Sequence, residues 1–480
     1  MALATTFKTC REMLEFIRTN QVHLLDCCFA DAVGLWHHCS FHVSQVDEKT
    51  LKNGFAFDGS SIRMFSTVDC SDMAMVPDPT TCWIDPFQEE RVLHVTCDIV
   101  DPYGKESDRC PRGVAKRCTA WIKSEGIADV VYIGPEAEFF LLDDVKYTCT
   151  PNKISCEIDC LEEGVWNSDA AITRRCGARN LGHRMPHKKA YFPVSPIDKT
   201  MGLRTKMLMT MGDIGIPIEK HHHEVANCQQ ELGFTYLPLV RAADAMMSYK
   251  YVVKNVAQRA GKTATFMPKP LIDDNGSGMH SHQSLWKDGK NLFFDSKAPY
   301  MKLSQVALWY IGGLLKHARA VMAFTNSTTN SYKRLVRGYE APSNLTYSKG
   351  NRSAAIRIPL CDENNPKAKR LEFRCPDAAG SPYLSFAAMV MAGIDGVRNK
   401  IDPPEPLDCD SSAVDNDNIP NIPKSLKEAL DALERDHQFL LEGKVFSLDF
   451  IKAYVKMKRS EIELVETTPH PREYELYYHC

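Results

Sequence analysis

The sequence lacks a surplus of either charge. Its 480 residues carry 58 Lys and Arg against 61 Asp and Glu, a formal net charge of -3. That balance supplies no global attraction for nucleic acid or an anionic membrane. It also lacks an apolar run able to span a bilayer. The longest candidate, Ala378 to Ile394, is uncharged but contains Gly380, Ser381 and Pro382, and it falls short of the ~20 residues required. The 18 cysteines include no Cys-x-x-Cys pair, and the opening residues include Lys8, Arg11, Glu12 and Glu15 in place of a secretory apolar core. The expectation is reduced thiols in a cytoplasmic protein.

Three familiar signatures are incomplete. Gly261-Lys-Thr263 ends like a phosphate-binding P-loop, but Val256 occupies the position of its first glycine. Asp274-Asn-Gly-Ser-Gly-Met-His-Ser-His-Gln-Ser284 lacks the third glycine of a dinucleotide fingerprint. After His221-His-His-Glu224 come Val225, Ala226 and Asn227, so no histidine falls one turn after the glutamate as zinc-binding helices require. For His221 to His223 individually, packing or surface roles are the expectation.

Short strand-like runs at Val22–Phe29 and Arg91–Val100, with a helical pattern at Phe7–Phe16, predict a small α+β unit over residues 1–108. The turn-rich stretch Asp101 to Pro111 bounds it, and a helix is expected from Gly113 to about Glu125. Residues 109–480 then alternate strand-like runs (Val130–Ile133, Phe139–Leu142, Ala354–Pro359, Leu371–Arg374) with helical patterns (Met201–Met211, Ala243–Gln258, Leu303–Phe324), which predicts one large α/β core. Asp402 to Pro423 reads as a polar linker before further helical patterns from Ser425 to about Ile462.

Two features carry chemistry. Glu136 and Glu138 are spaced to leave one face of a strand, and their flanks, Val130-Val-Tyr-Ile and Phe139-Phe-Leu-Leu, are apolar. A solvated strand edge is the plain alternative, but buried carboxylates side by side are costly unless cations separate them. Glu224 and Glu231 supply two more acids, and His280, His282 and Ser284 share a face if a strand follows Gly278. Second, Arg334, Arg337, Arg352, Arg357, Arg370 and Arg374 crowd 41 residues. Arg357 lies inside an apolar run, where a guanidinium fork implies an anionic ligand more than a solvated face. Clustered acids for hard cations beside arginines for anions point to phosphoryl transfer on divalent metals.

Long ordered motifs cover nearly the whole chain: Phe57-Asp-Gly-Ser-Ser-Ile62, Gly134-Pro-Glu-Ala-Glu138, His222-His-Glu-Val-Ala226, Lys262-Thr-Ala-Thr-Phe-Met-Pro-Lys-Pro270, Asn275-Gly-Ser-Gly-Met-His280, Asn330-Ser-Tyr-Lys-Arg-Leu335, Gly338-Tyr-Glu-Ala-Pro342 and Asn351-Arg-Ser353. Through them the sequence resembles the bacterial type I glutamine synthetase family. The resemblance implies a β-grasp-like N-terminal domain and a large α/β catalytic domain whose curved antiparallel sheet forms part of an inter-subunit barrel. It implies ATP-dependent synthesis of glutamine from glutamate and ammonia through γ-glutamyl phosphate, in nitrogen assimilation. Two or more Mg²⁺ or Mn²⁺ ions would be held by Glu138, Glu224 and Glu231 and by Glu136, His280 and Glu372. Glutamate would meet Asn275, Gly276, Arg334 and Arg374; ATP would meet Glu219, His282, Ser284, Arg357, Lys367 and Arg370; Arg352 would lie near the transferred phosphate. Asp58 would deprotonate ammonium at a neighbouring subunit's site, with Glu340 on a closing flap, in a dodecamer of two hexameric rings. The apolar aromatic tip Glu475-Leu-Tyr-Tyr-His-Cys480 would then want a partner surface, a frayed tail being the alternative.

Departures from the family pattern carry expectations too. No tyrosine occurs from Leu384 through Ala453, so the adenylylation switch of many bacterial members is expected to be absent. Arg337 replaces the usual flap proline, which should loosen the open flap and shift substrate affinity. Arg63-Met-Phe-Ser-Thr also differs from the commoner glycine-rich pattern after Ile62. Two other functions fit parts of the pattern: a γ-glutamyl ligase for a larger amine, and a catalytically silent scaffold on the same fold. Retention of all the ligand acids counts against the scaffold, which has no need of a costly charge cluster.

Overall fold

Apolar residues alternating along Leu24–Ala30 (β1) and Val92–Val100 (β6) form the centre of the first sheet. The structure, a computed structural model, describes residues 3–66, 70–162, 183, 185–336, 340–362, 365–408 and 419–478. Trp36–His42 (β2), Phe55–Asp58 (β3), Asp72–Pro77 (β4) and Trp83–Ile84 (β5) complete this sheet, in the order β2-β1-β6-β4-β3 with β5 on β6. The β1–β6 pair is parallel. Leu25, Cys27, Phe29, Leu93, Val95 and Cys97 leave one face and pack with Met13, Leu14 and Ile17 of the helix Cys10–Thr19. That helix begins three residues later than its apolar pattern, because the Thr9 side chain accepts from Glu12 N and caps it there.

The second sheet runs β10-β11-β7-β14-β18-β17-β16. Its strands are Val130–Leu142 (β7), Ile218–His223 (β10), Gln229–Phe234 (β11), Met279–Lys287 (β14), Asn344–Lys349 (β16), Ala354–Ile358 (β17) and Leu371–Phe373 (β18). Leu237–Pro238 (β12) and Thr263–Thr265 (β13) pair with β7, and Lys290–Asn291 (β15) with β14. Among the described residues, β16–β17 is its one parallel pair. The two expected runs at 130–133 and 139–142 are one strand: Gly134 and Pro135 between them stand opposite His282 and Ser281 in unbroken register. Asp144–Thr150 (β8) and Lys153–Asp159 (β9) form a separate hairpin.

Helices Leu239–Arg259, Gln305–Thr325 and Pro382–Asn399 bury their apolar sides in the larger core. The apolar segment noted from Ala378 onward is thus a core helix, and among the described residues no helix is long and apolar enough to cross a membrane. Its backbone approaches Gln305–Thr325 closely. A Cβ on Gly313 would lie 2.3 Å from Ala392 O, and one on Gly396 only 2.1 Å from Trp309 O.

Arg112 joins the two units. At 3% exposure, its guanidinium donates to Asp78 (2.6 Å) just after β4, to Asp98 (2.8 Å) of β6 and to Asp244 (2.9 Å) of the helix Leu239–Arg259. The expectation of reduced thiols fails at one pair: Cys160 and Cys228 form a disulfide. They are 68 residues apart, and local spacing cannot foresee that the end of β9 meets the turn between β10 and β11.

Candidate active site

Strand register builds the site as rows across the second sheet. His222 on β10 stands opposite Glu231 on β11, which stands opposite Glu138 on β7. Two residues along, Glu136 faces His280 on β14. His282 then faces Glu372 on β18, which faces Arg357 on β17. The period of two noted for Glu136 and Glu138 is therefore matched across the sheet, so acids and imidazoles from five strands leave the same face.

All six ligands expected from the resemblance line one cavity, together with Asn275, Gly276, Arg334, Glu340, Arg352, Arg357 and Arg374. Glu136, His280 and Glu372 form one group with ligand atoms within 4.8 Å of one another; Glu224, Glu231 and His222 form a second. Here the reading of His222 as a packing or surface residue is corrected: Nε2 lies 3.2 Å from Glu231 and Nδ1 3.5 Å from Glu224. His223 does pack, 1% exposed, with Nε2 3.0 Å from Glu162. Glu138 accepts from Gln229 Nε2 (2.8 Å) and Gly278 N (2.9 Å). Gln229, Tyr191 and Lys220 also line the cavity and were missed. Gln229 stands two residues before Glu231 on the same strand, which was the available signal.

Burial and mutual repulsion dominate the electrostatics of the cluster. Burial, then the Glu231 charge, pushes Glu138 up to about 7. Burial and the charges of Glu138 and Glu231 push Glu224 up to about 8, and burial with the Glu136 charge raises Glu231 to about 8. For Glu136 burial acts upward, but the His282 hydrogen bond and the charges of His282, His280 and Lys220 outweigh it and hold the carboxyl below its usual range. His280 is kept neutral by burial and by Arg374 and Arg334, leaving it a lone pair to donate. Three acids that cannot all ionise unaided, beside a neutral imidazole, form an oxygen-rich donor set suited to hard divalent cations.

The arginines differ from the expectation that their forks await an anion. Arg374 donates to Glu372 Oε1 (2.7 Å) and to the carbonyls of Arg352 and Glu340, while Arg357 bonds the other Glu372 oxygen. Arg334 donates to the carbonyls of Cys375 (2.8 Å), Pro376 and Arg374. These contacts fix the arginines' positions at the wall. Gly276 is required beside them, since a Cβ there would lie 2.3 Å from Pro268 O and 2.9 Å from Arg334 Cγ.

A second cavity of about 520 Å³ adjoins the first through Glu136 and Lys220, which line both. Glu219, His282, Ser284, Lys367 and Arg370 line it; Arg357 lines the first cavity instead. Asp58 lines neither. It lies exposed at the end of β3, where the Ser60 and Ser61 hydroxyls donate to it and lower its pKa. Glu340 stands at the first cavity with φ +55°, whereas Arg337 lies outside the described residues, as does most of the loop after Asp408.

Residues 108–477 match the glutamine synthetase catalytic domain, and residues 21–102 match the glutamine synthetase beta-Grasp domain. The chain belongs to the glutamine synthetase family. A glutamine synthetase of Nostoc sp. is 51% identical over 476 residues, covering 98% of this chain and 99% of the relative. One from Azorhizobium caulinodans is 50% identical, with 98% and 99% covered. The cryo-EM structure of Plasmodium falciparum glutamine synthetase superposes with a TM-score of 0.93 at 33% identity, over 99% of this chain and all of that one. A GmaS/ADP complex superposes with a TM-score of 0.81 at 27% identity, over 97% and 99%. The fold is the family's α+β arrangement of a β-grasp unit and a catalytic unit with a largely antiparallel sheet. The activity is that of a glutamine synthetase, a glutamate–ammonia ligase.

Proposed function

We propose that the two adjoining cavities are the halves of one active site within domains 1–108 and 109–480. The observation that carries this reading is the row of ligands in strand register, facing fixed arginines and opening into a nucleotide-sized space. Glu138, Glu224 and Glu231, with His222 beside them, would hold one Mg²⁺ or Mn²⁺; Glu136, His280 and Glu372 would hold another. Bound there, the cations neutralise the clustered carboxylates and the charge of the transferring phosphoryl group.

Glu219, His282, Ser284, Lys367 and Arg370 hold ATP in the second cavity, with Arg357 at its junction with the first. Binding of ADP by GmaS supports this use of the fold. Arg334, Arg374, Asn275 and Gly276 orient glutamate so that its side-chain carboxylate faces the terminal phosphate. The carboxylate oxygen attacks phosphorus, ADP leaves, and Arg352 stabilises the charge in transit. Asp58 of a neighbouring subunit takes the proton of ammonium. Ammonia then attacks the acyl carbon and expels phosphate. Glu340 closes over the site and excludes the water that would otherwise hydrolyse the acyl phosphate.

Because Asp58 lines neither cavity of its own chain, the site is completed between copies, consistent with a dodecamer of two hexameric rings that closes the sheets into barrels. Exposed Val145, Tyr147 and Ile154 on the hairpin and Tyr474, Leu476 and Tyr477 near the C-terminus are apolar surfaces for such contacts. We place the enzyme in the cytoplasm, in nitrogen assimilation, without adenylylation of the 408–418 loop. The test is phosphate release from ATP with Mg²⁺ and glutamate, with and without ammonium, with glutamine measured in the same tubes. Equal glutamine and phosphate, both dependent on ammonium, are expected. Phosphate without glutamine would point to a larger amine, and neither product with either Mg²⁺ or Mn²⁺ would refute the reading.

A further inference from the structure

The first sheet has a second face whose chemistry the reaction does not use. Leu25, Cys27 and Phe29 of β1 enter the small core, so Asp26 and Cys28 leave the opposite side. Register brings three more polar residues beside them: Ser40 opposite Asp26, His38 opposite Cys28, and His94 of β6 opposite Asp26. Cys28 Sγ is 3.3 Å from Asp26 Oδ2. One oxygen of Asp26, Cys28 Sγ and a ring nitrogen of His94 all lie within 4.8 Å of one another.

His94 supplies the independent sign of a ligand. It is 2% exposed, and its Nε2 is buried with no hydrogen-bond partner. Trp83 stacks on it at 4.2 Å and Trp36 packs at 4.8 Å, so the ring cannot turn to find one. Leaving such a buried nitrogen unsatisfied is costly to the fold. Meanwhile the carboxylate is held in place: His38 Nδ1 lies 2.7 Å and Ser40 Oγ 2.5 Å from Asp26 Oδ1, which leaves Oδ2 directed toward the thiol.

We propose that Asp26, Cys28 and His94 form a divalent transition-metal site, best matched to Zn²⁺, with His38 as the positioning residue for Asp26. Thiolate, imidazole and carboxylate are the donors of a tetrahedral zinc centre, in contrast to the oxygen-rich set of the catalytic cavity. A sulfur–oxygen separation of 3.3 Å is close to the ~3.5 Å edge that Zn–S and Zn–O bonds of ordinary length make at a tetrahedral angle. On binding, the Cys28 thiol gives its proton to solvent and the thiolate bonds the metal, with water in the fourth position on the exposed His38 side. The other described cysteine cluster, Cys160, Cys228 and Glu162, has its sulfurs joined to each other. The site ties β1 to β6, so its metal stabilises the small domain.

Co²⁺ is the probe, added to chelator-treated full-length protein in excess Mg²⁺. One equivalent per chain should give an intense thiolate-to-cobalt charge-transfer band with the visible bands of tetrahedral Co²⁺. Cys28→Ser, nearly isosteric, should abolish the charge-transfer band, whereas Cys160→Ser/Cys228→Ser should keep it. His38→Ala should retain the band but weaken affinity about 10–100-fold, the usual cost of losing a residue that orients a ligand. His94→Gln should also abolish the band; since that ring packs between two tryptophans and the variant can fail to fold, the cysteine variants decide. No band in the unaltered protein, its persistence in Cys28→Ser, or its loss in Cys160→Ser/Cys228→Ser would each overturn the assignment, and unchanged affinity in His38→Ala would remove the role of His38.

Discussion

Replacing Arg112 by methionine should unlock the boundary between the two units. The guanidinium meets three aspartates with side chains 22%, 18% and 8% exposed, for Asp78, Asp98 and Asp244 respectively. Their losses are unequal. Asp98 keeps Lys116 at 2.7 Å, and Asp78 keeps the backbone and hydroxyl of Thr80. Asp244, the most buried, keeps the Tyr383 hydroxyl at 2.7 Å as its nearest donor. Removing one partner of a buried ion pair costs about 3–5 kcal/mol, chiefly for the charge left behind. A loss near 4 kcal/mol over a urea slope of about 3 kcal/mol/M lowers the midpoint by about 1.3 M. Asp244→Asn in the Arg112→Met background removes that charge, which would be left with Arg241 4.0 Å away as its counter-ion, and should restore part of the loss. Urea unfolding followed by fluorescence and circular dichroism measures both. An unchanged midpoint in the single variant, or a further fall in the double one, would refute the reasoning.

His317 joins three helical segments, with Nε2 2.9 Å from Asp395, Nδ1 2.8 Å from Asp436 and its ring stacked on Phe439. Burial acts to lower its pKa, but those hydrogen bonds and charges raise it above 6.5. Its contribution to stability is therefore complete below about pH 6.5 and lost as pH rises through the raised value; His317→Gln should remove that part of the pH dependence of the urea midpoint. Gly396→Ala places a Cβ 2.1 Å from a backbone carbonyl, so its cost should reach the upper end of ~1–3 kcal/mol and show as a lower thermal midpoint. In steady-state kinetics, Asp58→Ala should chiefly raise the ammonium requirement, whereas Glu372→Ala should weaken metal-dependent phosphoryl transfer at saturating ammonium. Normal activity in both would sink those assignments.

The chemistry was legible in the sequence where it obeys a local period. Glu136 and Glu138 announce their shared face by spacing alone, and His280, His282 and Ser284 do the same once a strand follows them. Partnership across strands was not legible. Nothing local tells that Glu231 stands opposite Glu138, that His222 turns between two acids while His223 is buried against Glu162, or that Cys160 finds Cys228. Helix existence was readable from apolar periodicity, but ends were set by capping: Thr9 moved the first helix toward the C-terminus, and Pro111 started the helix Pro111–Ser124 two residues earlier than Gly113 suggested. Arg334 and Arg374 show the opposite limit, since their sequence setting suggested open anion forks while backbone carbonyls and Glu372 occupy much of their donor capacity.

The acids that share one face come from residues as far apart as Glu136 and Glu372. A ribosome-bound chain that has emerged only through β14 already presents Glu136, Glu138, Glu224, Glu231 and His280, yet without β18 it lacks Glu372, and with it the seat of Arg357 and Arg374. Closure of the Glu136, His280 and Glu372 group therefore waits on synthesis of most of the chain. The same separation makes the catalytic centre a late, high-contact-order event in folding, so slow synthesis or early termination should yield protein with much of its secondary structure and no ligase activity.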